Sequence, residues 1–486
     1  MASEPSEMRG LGLSLFLSEL PGIGGMPVAD LSELPGLAEW AARCGFASLW
    51  LGPLLLMPPG LPVGPYSPES RFLVDPLYLP ALGPEKPDGS TIHKRVFAQR
   101  KARASAYLAA GPEAIRSQPA YDWDAEARIR ELLNPVQVEL AGQVYVRLAS
   151  YVGQDPNRMR DVVITSQALA HGMIAAANRR LPIGLDLPVG VVPDGVDAVA
   201  LSDWAVRGGA LGAPPDYFNP NGQSWGLVGF DLGAFGPEQD YLPLIGALEI
   251  FSSTASGFRI DHAIGLQRLC VVRNREAGAD DAEFVPQPRD GTLARLAKLS
   301  KTRGLTLVAE DLGVVPDGLR EALLGAGLLL SKVLCFEREA PAAYPEASAL
   351  SFGTHDTPTL RQLAGLCADP AAFGEAAELV ASHLKRATGG RGIEARFRAT
   401  AGELAGPNAA GYFGEVLPRA LRVLESSPSR LSLISLRDLL GSCERLNLPG
   451  VGQDHRDNFF LPLVDRAQLG SLIGLDQIFD GWLGPS

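Results

Sequence analysis

Eight short apolar runs, spaced unevenly, constrain the fold of this chain more than any other feature. They are Leu11–Leu17, Ala47–Leu54, Leu181–Pro188, Gly257–Ala263, Leu305–Leu312, Lys332–Glu337, Leu350–Asp356 and Leu431–Arg437. Each is far shorter than the ~20 residues that span a bilayer. Each is long enough for a strand buried on both faces, which reads as a continuous apolar run rather than an alternating one. Between the first two runs, Asp30–Cys44 repeats apolar residues at helical spacing (Leu34, Leu37, Trp40, Ala41, Cys44) behind an Asp cap. Strand, helix and strand in that order make a parallel unit. Five of the later runs end in or beside polar groups: Asp186, Asp261, Glu310–Asp311, His355–Asp356 and Arg437–Asp438. One such run alone reads equally well as a piece of core helix. Eight of them, with polar groups gathered at their C-terminal ends, form the pattern of an α/β fold, the (β/α)8 TIM barrel.

The uneven spacing locates the insertions in what reads as a single catalytic domain over 1–486. Residues 65–180 read as a mostly helical subdomain: His93–Leu108 and Trp123–Leu133 have helical spacing, Val136–Tyr151 is ambiguous, and Glu113–Tyr121 reads as a connection. Residues 193–247 are rich in Gly, Pro and Asn, and residues 369–429 are polar with helical stretches. Insertions between barrel strands commonly lie on the catalytic face, where the βα loops are.

A net charge of −12, with both signs mixed along the chain, argues against nucleic acid and against an anionic membrane as partners. The acidic start, MASEPSEMRGLG, has no basic segment leading into an apolar one, and the expected location is the cytoplasm. The five cysteines are scattered, and three (Cys44, Cys270, Cys335) lie in apolar segments, so reduced, buried thiols are the expectation. No His/Cys spacing of a metal site occurs.

Three acids close three of the apolar runs: Asp261, Glu310 and Asp356. Retaining glycoside chemistry needs a carboxylate that attacks the anomeric carbon and a protonated carboxyl that protonates the leaving oxygen. Arg259, two residues before Asp261 and on the same strand face, favours the ionised form of Asp261, as a nucleophile requires. Glu310 follows LTLVA and precedes Asp311, a setting of burial and negative charge that raises a carboxyl pKa. Strand-end acids also cap helices, and that reading competes for any one of them. In GAPPDYFNPNGQSWG (212–226), Gln223 offers an amide and Trp225 a flat apolar ring, a pair matched to the hydroxyl edge and apolar face of a sugar. PYSPESRF (65–72), with Tyr66 between two prolines, admits the same reading.

With these two segments, GLDLPVGVVPDG (184–195), FRIDHAIGLQRL (258–269), LVAEDLGVVP (307–316), GTHDTPTL (353–360) and RLNLPG (445–450), in this order, the chain resembles the 4-α-glucanotransferases (amylomaltases, or disproportionating enzymes, of glycoside hydrolase family 77). The resemblance runs from about Leu11 to Leu469. It implies a barrel with helical insertions, no metal or organic cofactor, and α-1,4-glucans (maltooligosaccharides, starch or glycogen) as substrates. It also implies Asp261 as nucleophile, Glu310 as general acid/base and Asp356 as stabiliser of the transition state. By the same resemblance Tyr66, Asp186, Gln223, Trp225, Arg259, His262, Asp311, His355 and Asn447 line the donor and acceptor subsites. The implied reaction moves a glucan segment to the 4-hydroxyl of an acceptor sugar. An α-1,4-glucan hydrolase of the α-amylase clan is the alternative, and a glucan-binding protein on a decayed barrel is the non-enzymatic one. Three departures bear on subsite affinity and chain-length preference: GLVGFD in place of a proline after the Gln-x-Trp-Gly core, no aromatic residue at Cys270–Val272, and no Trp after HDTPTL.

Overall fold

The computed structural model describes residues 8–22, 26–60, 64–83, 85, 87, 89, 91–150, 155–215, 221–234, 241–273, 282–367, 374–386, 411–447 and 459. Fourteen strands are found among them: β1 (Gly10–Leu15), β2 (Ser48–Leu51), β3 (Leu55–Leu56), β4 (Ser70–Val74), β5 (Ile183–Leu187), β6 (Ala210–Ala213), β7 (Gln223–Ser224), β8 (Gly257–Ile260), β9 (Arg268–Val272), β10 (Ala282–Pro286), β11 (Thr306–Ala309), β12 (Leu329–Val333), β13 (Ser348–Ser351) and β14 (Leu431–Ser435). Eight of these close a barrel in the order β1-β14-β13-β12-β11-β8-β5-β2. Every neighbouring pair in it is parallel. All eight expected runs contribute a barrel strand. The sixth begins earlier than Lys332, at Leu329, because the apolar stretch Leu328–Leu330 enters the barrel and Cys335–Glu337 has already left the strand.

Met8, Trp50, Val308, Leu329, Ala349 and Leu431 fill the barrel interior. Their positions set the phase of each strand, since side chains alternate between the inside and the helix layer. Gly184 is required by this packing: a Cβ there would lie 2.3 Å from the Trp50 ring.

Helix α1 (Leu34–Arg43) lies between β1 and β2, and between β4 and β5 the chain forms α2 (Ile92–Arg116), α3 (Trp123–Leu132), α4 (Pro135–Ala149) and α5 (Pro156–Asn178), which make the insertion. The ambiguous segment at Val136 is therefore helical, started by the Asn134 side chain and Pro135 and ended by Ser150 in the left-handed region (φ 52). The expected connection at Glu113 is a correction. Helix α2 continues to Arg116, because Gly111 (φ 78) bends the chain and Pro112 restarts the helix at a position that needs no N–H. Side-chain amides bind these helices to β4 and to the segment that follows β1. Gln167 of α5 accepts from Val74 N (2.6 Å) and donates to Val74 O (3.0 Å), occupying the place of a neighbouring strand. Gln99 of α2 does the same for Val28 (3.2 and 2.9 Å).

The heart of this interface is an ion pair in which both side chains are 0% exposed, Arg100–Asp75 (2.7 Å). Asp75 also accepts from Met57 N and Leu77 N (2.8 Å each), and Arg100 donates to the carbonyls of Met57 and Pro58. Removing one partner strands the other charge. Asp75→Ala is therefore expected to lower unfolding free energy by about 3–5 kcal/mol, read as a shift of the urea midpoint at constant slope.

A second sheet, β10-β9-β6-β7, is antiparallel and lies outside the barrel. It joins part of the Gly/Pro-rich insertion (β6, β7) to the segment that follows β8. Much of 369–429 lies outside the described residues; within it, helices Gly374–Arg386 and Leu417–Ser426 are seen. The cysteines need a correction. Cys270 and Cys335 are buried thiols, but Cys367 and Cys443 are joined in a disulfide. Their local sequences gave no sign of it, because the two meet only when the segment after β13 packs on the one after β14. Among the described residues, no helix is long and apolar enough to cross a membrane.

Candidate active site

The polar ends of β5, β8, β11 and β13 converge at one mouth of the barrel. The interior phase set by Val308 carries Glu310 inward, and the register pairs Asp186 of β5 with Arg259 of β8. Arg259 Nη1 lies between two carboxylates, 2.8 Å from Asp261 Oδ1 and 2.8 and 2.9 Å from the oxygens of Asp186. Burial opposes the guanidinium charge, but the flanking carboxylates outweigh it and hold the Arg259 pKa well above its usual value. Burial pushes the Asp186 carboxyl up, with Arg259 opposing the shift. Asp261 extends the strand end, its N–H donating to Leu187 O (3.0 Å).

Glu310 stands beside Asp261 on the adjacent strand, since Ile260 and Ala309, the residues just before them, are register partners. Its Oε2 accepts from His262 N (2.7 Å) and its Oε1 from Leu312 N (3.1 Å). Those bonds and Arg259 favour the carboxylate, yet burial first and the Asp261 charge next raise the Glu310 pKa to about 7. His262 adopts the left-handed region (φ 48), which turns its N–H toward Glu310. Burial lowers the pKa of its ring to about 4, so His262 is neutral at pH 7.

Around this pair stand the other residues expected from the sequence. Tyr66 donates to Asp186 Oδ2 (2.5 Å) and its ring stacks on His355 (centroids 4.2 Å apart, planes at 14°). His355 Nε2 lies 3.2 Å from Asp356 Oδ2, and Asn447 Nδ2 donates to Asp356 Oδ1 (2.5 Å). The outer sheet brings in the remaining two. Trp225 sets its edge on His262 (4.9 Å, 79°) and donates from Nε1 to Gln223 Oε1 (3.1 Å). Asp311 is the one residue of the expected set turned elsewhere. Strand alternation points it away from Glu310, and its 2% exposed side chain accepts from Ser331 N (2.8 Å) and Arg320 Nε (2.6 Å). It braces β11 against β12.

Two aromatic residues not anticipated as site residues complete the wall. Phe16 and Phe459 both pack on Tyr66 and His355, at centroid distances of 5.6–6.1 Å. Phe16 is the next-to-last residue of its apolar run and lies just past β1, the position that supplies site residues elsewhere, and that was the available signal. Gly52 makes room for it, since a Cβ there would lie 2.3 Å from the Phe16 ring. Phe459 is 104 residues beyond His355 in sequence, and nothing local announces the contact.

The result is a carboxyl group whose pKa is raised to about 7 beside a carboxylate paired with a guanidinium, with a further carboxylate, Asp356, at the rim. That arrangement can protonate a leaving oxygen, form a covalent ester and stabilise positive charge between them.

Comparison with known proteins bears on this geometry. Two solved amylomaltases share the fold. The one from Corynebacterium glutamicum superposes with a TM-score of 0.73 at 22% identity, over 97% of this chain and 75% of that one. The one from Streptococcus agalactiae, in complex with acarbose, gives 0.65 at 17% identity, over 98% and 99%. Among curated relatives, the 4-α-glucanotransferase of Mycobacterium tuberculosis is 33% identical over 320 residues, which is 62% of this chain and 42% of that protein. That of Haemophilus influenzae is 28% identical over 290 residues, 57% and 41%. The aligned part thus amounts to less than half the length of these curated relatives. The sequence profile described as 4-α-glucanotransferase matches residues 162–459, a span that holds β5 to β14 and, with the exception of Tyr66, every residue of the site expected from the sequence. The chain belongs to the 4-α-glucanotransferase family.

Proposed function

We propose that this chain is a 4-α-glucanotransferase that cuts an α-1,4-glucan and passes the released segment to the 4-hydroxyl of an acceptor sugar with retention of configuration. Asp261 attacks C1 of the donor while Glu310 gives its proton to the departing 4-oxygen, and a β-glucosyl ester on Asp261 results. Glu310, now a carboxylate, takes the proton of the acceptor hydroxyl as that oxygen displaces Asp261. Asp356, oriented by Asn447, offsets the positive charge that develops on the sugar ring in both steps. Tyr66, Asp186, Gln223, Trp225, His262 and His355 hold hydroxyls and ring faces along the cleft.

The observation that carries this reading is the placement of Asp261 and Glu310 directly after Ile260 and Ala309, register partners on adjacent parallel strands. Such strands lie about 4.8 Å apart, which suits the ~5–5.5 Å carboxyl separation of retaining enzymes and not the ~6.5–9.5 Å of inverting ones. The acarbose complex of the Streptococcus agalactiae relative is in keeping with a glucan ligand. Donors in this reading are maltooligosaccharides, starch or glycogen, with no nucleic-acid or membrane partner and a place in the cytoplasm, in keeping with the net charge of −12.

Incubation with maltotriose alone tests it. The expected product is a ladder of longer and shorter oligomers with glucose. Only shorter sugars would assign the site to a hydrolase, and unchanged maltotriose would leave no enzyme reading.

A further inference from the structure

The disulfide between Cys367 and Cys443 spans 76 residues and joins two segments that leave the catalytic face, one after β13 and one after β14. The second carries Asn447. From the bridge the chain runs Glu444, Arg445, Leu446, Asn447, and Asn447 then fastens to the site twice, through its N–H to His355 O (3.2 Å) and through Nδ2 to Asp356 Oδ1 (2.5 Å). Upstream of the bridge the same loop is held by weaker means. Thr359 Oγ1 donates to Ser442 O (2.7 Å) and Arg361 Nη1 to Gly441 O (2.9 Å); downstream of it, Arg437 Nη1 donates to Glu444 O (2.9 Å) and Phe459 N to Leu446 O (2.7 Å). The bridge is thus the one covalent tie, among the described residues, between this loop and the segment that follows His355 and Asp356. Asp356 itself is 44% exposed, so burial does little to fix its carboxylate and Asn447 does much of it.

Both bridged residues are half-buried, whereas Cys270 and Cys335 are buried. A partly exposed disulfide is open to attack by a thiolate. Cross-links of this accessible kind, in proteins of reducing compartments, are transient and redox-sensing more often than structural.

We propose that Cys367–Cys443 is a thiol–disulfide modification site that sets the activity of the catalytic centre: oxidised, it holds Asn447 on Asp356; reduced, it releases the 443–447 loop and slows turnover. The reductant is a dithiol. One of its thiolates attacks a bridge sulfur to give a mixed disulfide, and the other cysteine leaves as a thiolate and takes up a proton. The second thiol of the reductant then closes its own disulfide and frees the remaining cysteine. Two electrons and two protons pass to the protein. Because Asp356 acts on the charged transition state, the loss falls on kcat more than on KM.

The inference rests on the proposed transferase reading, and its test keeps the two apart. The whole chain is assayed on maltotriose after oxidation and after mild treatment with dithiothreitol, with alkylation and mass spectrometry to locate new thiols. Reduction is expected to add label at Cys367 and Cys443 and to lower kcat about 10-fold, the scale of a modest misplacement of a group in a site. Reoxidation is expected to restore it. Circular dichroism of the reduced protein guards against simple unfolding. The double variant Cys367→Ser/Cys443→Ser is expected to match the reduced enzyme and to ignore dithiothreitol. Equal kcat in both states, or label at both cysteines before reduction, would overturn the inference. Absence of turnover in both states would instead overturn the transferase reading.

Discussion

Asp261→Asn is expected to abolish glucan transfer, with kcat on maltotriose lower by on the order of 10⁴-fold or more, while the fold stays intact. The amide is close in size to the carboxylate, so packing is kept, but it cannot form the glycosyl ester. The variant also separates chemistry from electrostatics. In the wild type, Arg259 Nη1 is shared by Asp261 and Asp186. With Asp261 neutralised, Asp186 still pairs with the guanidinium, so no buried charge is left alone and thermal unfolding is expected to move little. Arg259→Lys removes the guanidinium whose Nη1 lies between both carboxylates. It is expected to cost about 10²-fold by itself and nothing further when combined with Asp261→Asn, because the arginine acts through the aspartate. Full additivity of the two losses would show that Arg259 works on the sugar directly.

What the sequence revealed of this molecule follows from the range of the interactions involved. A strand buried on both faces must be apolar throughout, so the barrel strands announce themselves locally, and their polar last residues mark the mouth. Period-two alternation from Val308 likewise separates the inward Glu310 from the outward Asp311 once the interior phase is known, and without that phase both acids look alike. The outer sheet was hidden for the opposite reason. Its β7 has two residues and pairs with β6 only through Gly212↔Ser224 and Ala213↔Gln223, too short a stretch to leave a pattern. Phe459 and the Cys367–Cys443 bridge are hidden in another way: each depends on segments remote in sequence that meet above the barrel, and their own neighbourhoods carry no trace of the partner.

Glu310→Gln is expected to lower kcat by about 10²–10⁴-fold, the contribution of a positioned acid/base, with donor binding largely kept. Its pH signature is the sharper test. Glu310 has a pKa raised to about 7 by burial and by Asp261. The first step needs its proton, and that proton is lost as pH rises through 7. In the wild type, kcat/KM for the donor is therefore expected to fall above about pH 7, tenfold per unit, and to level off below it. His262, which donates to Glu310, and Arg259, whose charge acts on it, leave this limb alone: His262, lowered to about 4, is already neutral there, and Arg259, raised well above its usual value, stays charged. Tyr66, which contacts Asp186 and not Glu310, keeps its proton because burial raises its pKa well above 10. Glutamine cannot titrate, so E310Q is expected to be slow and flat through the same range. The limb is expected to survive, at a reduced rate, in His355→Gln. Its disappearance there, with persistence in E310Q, would move the proton donor from Glu310 to His355 and overturn the assignment.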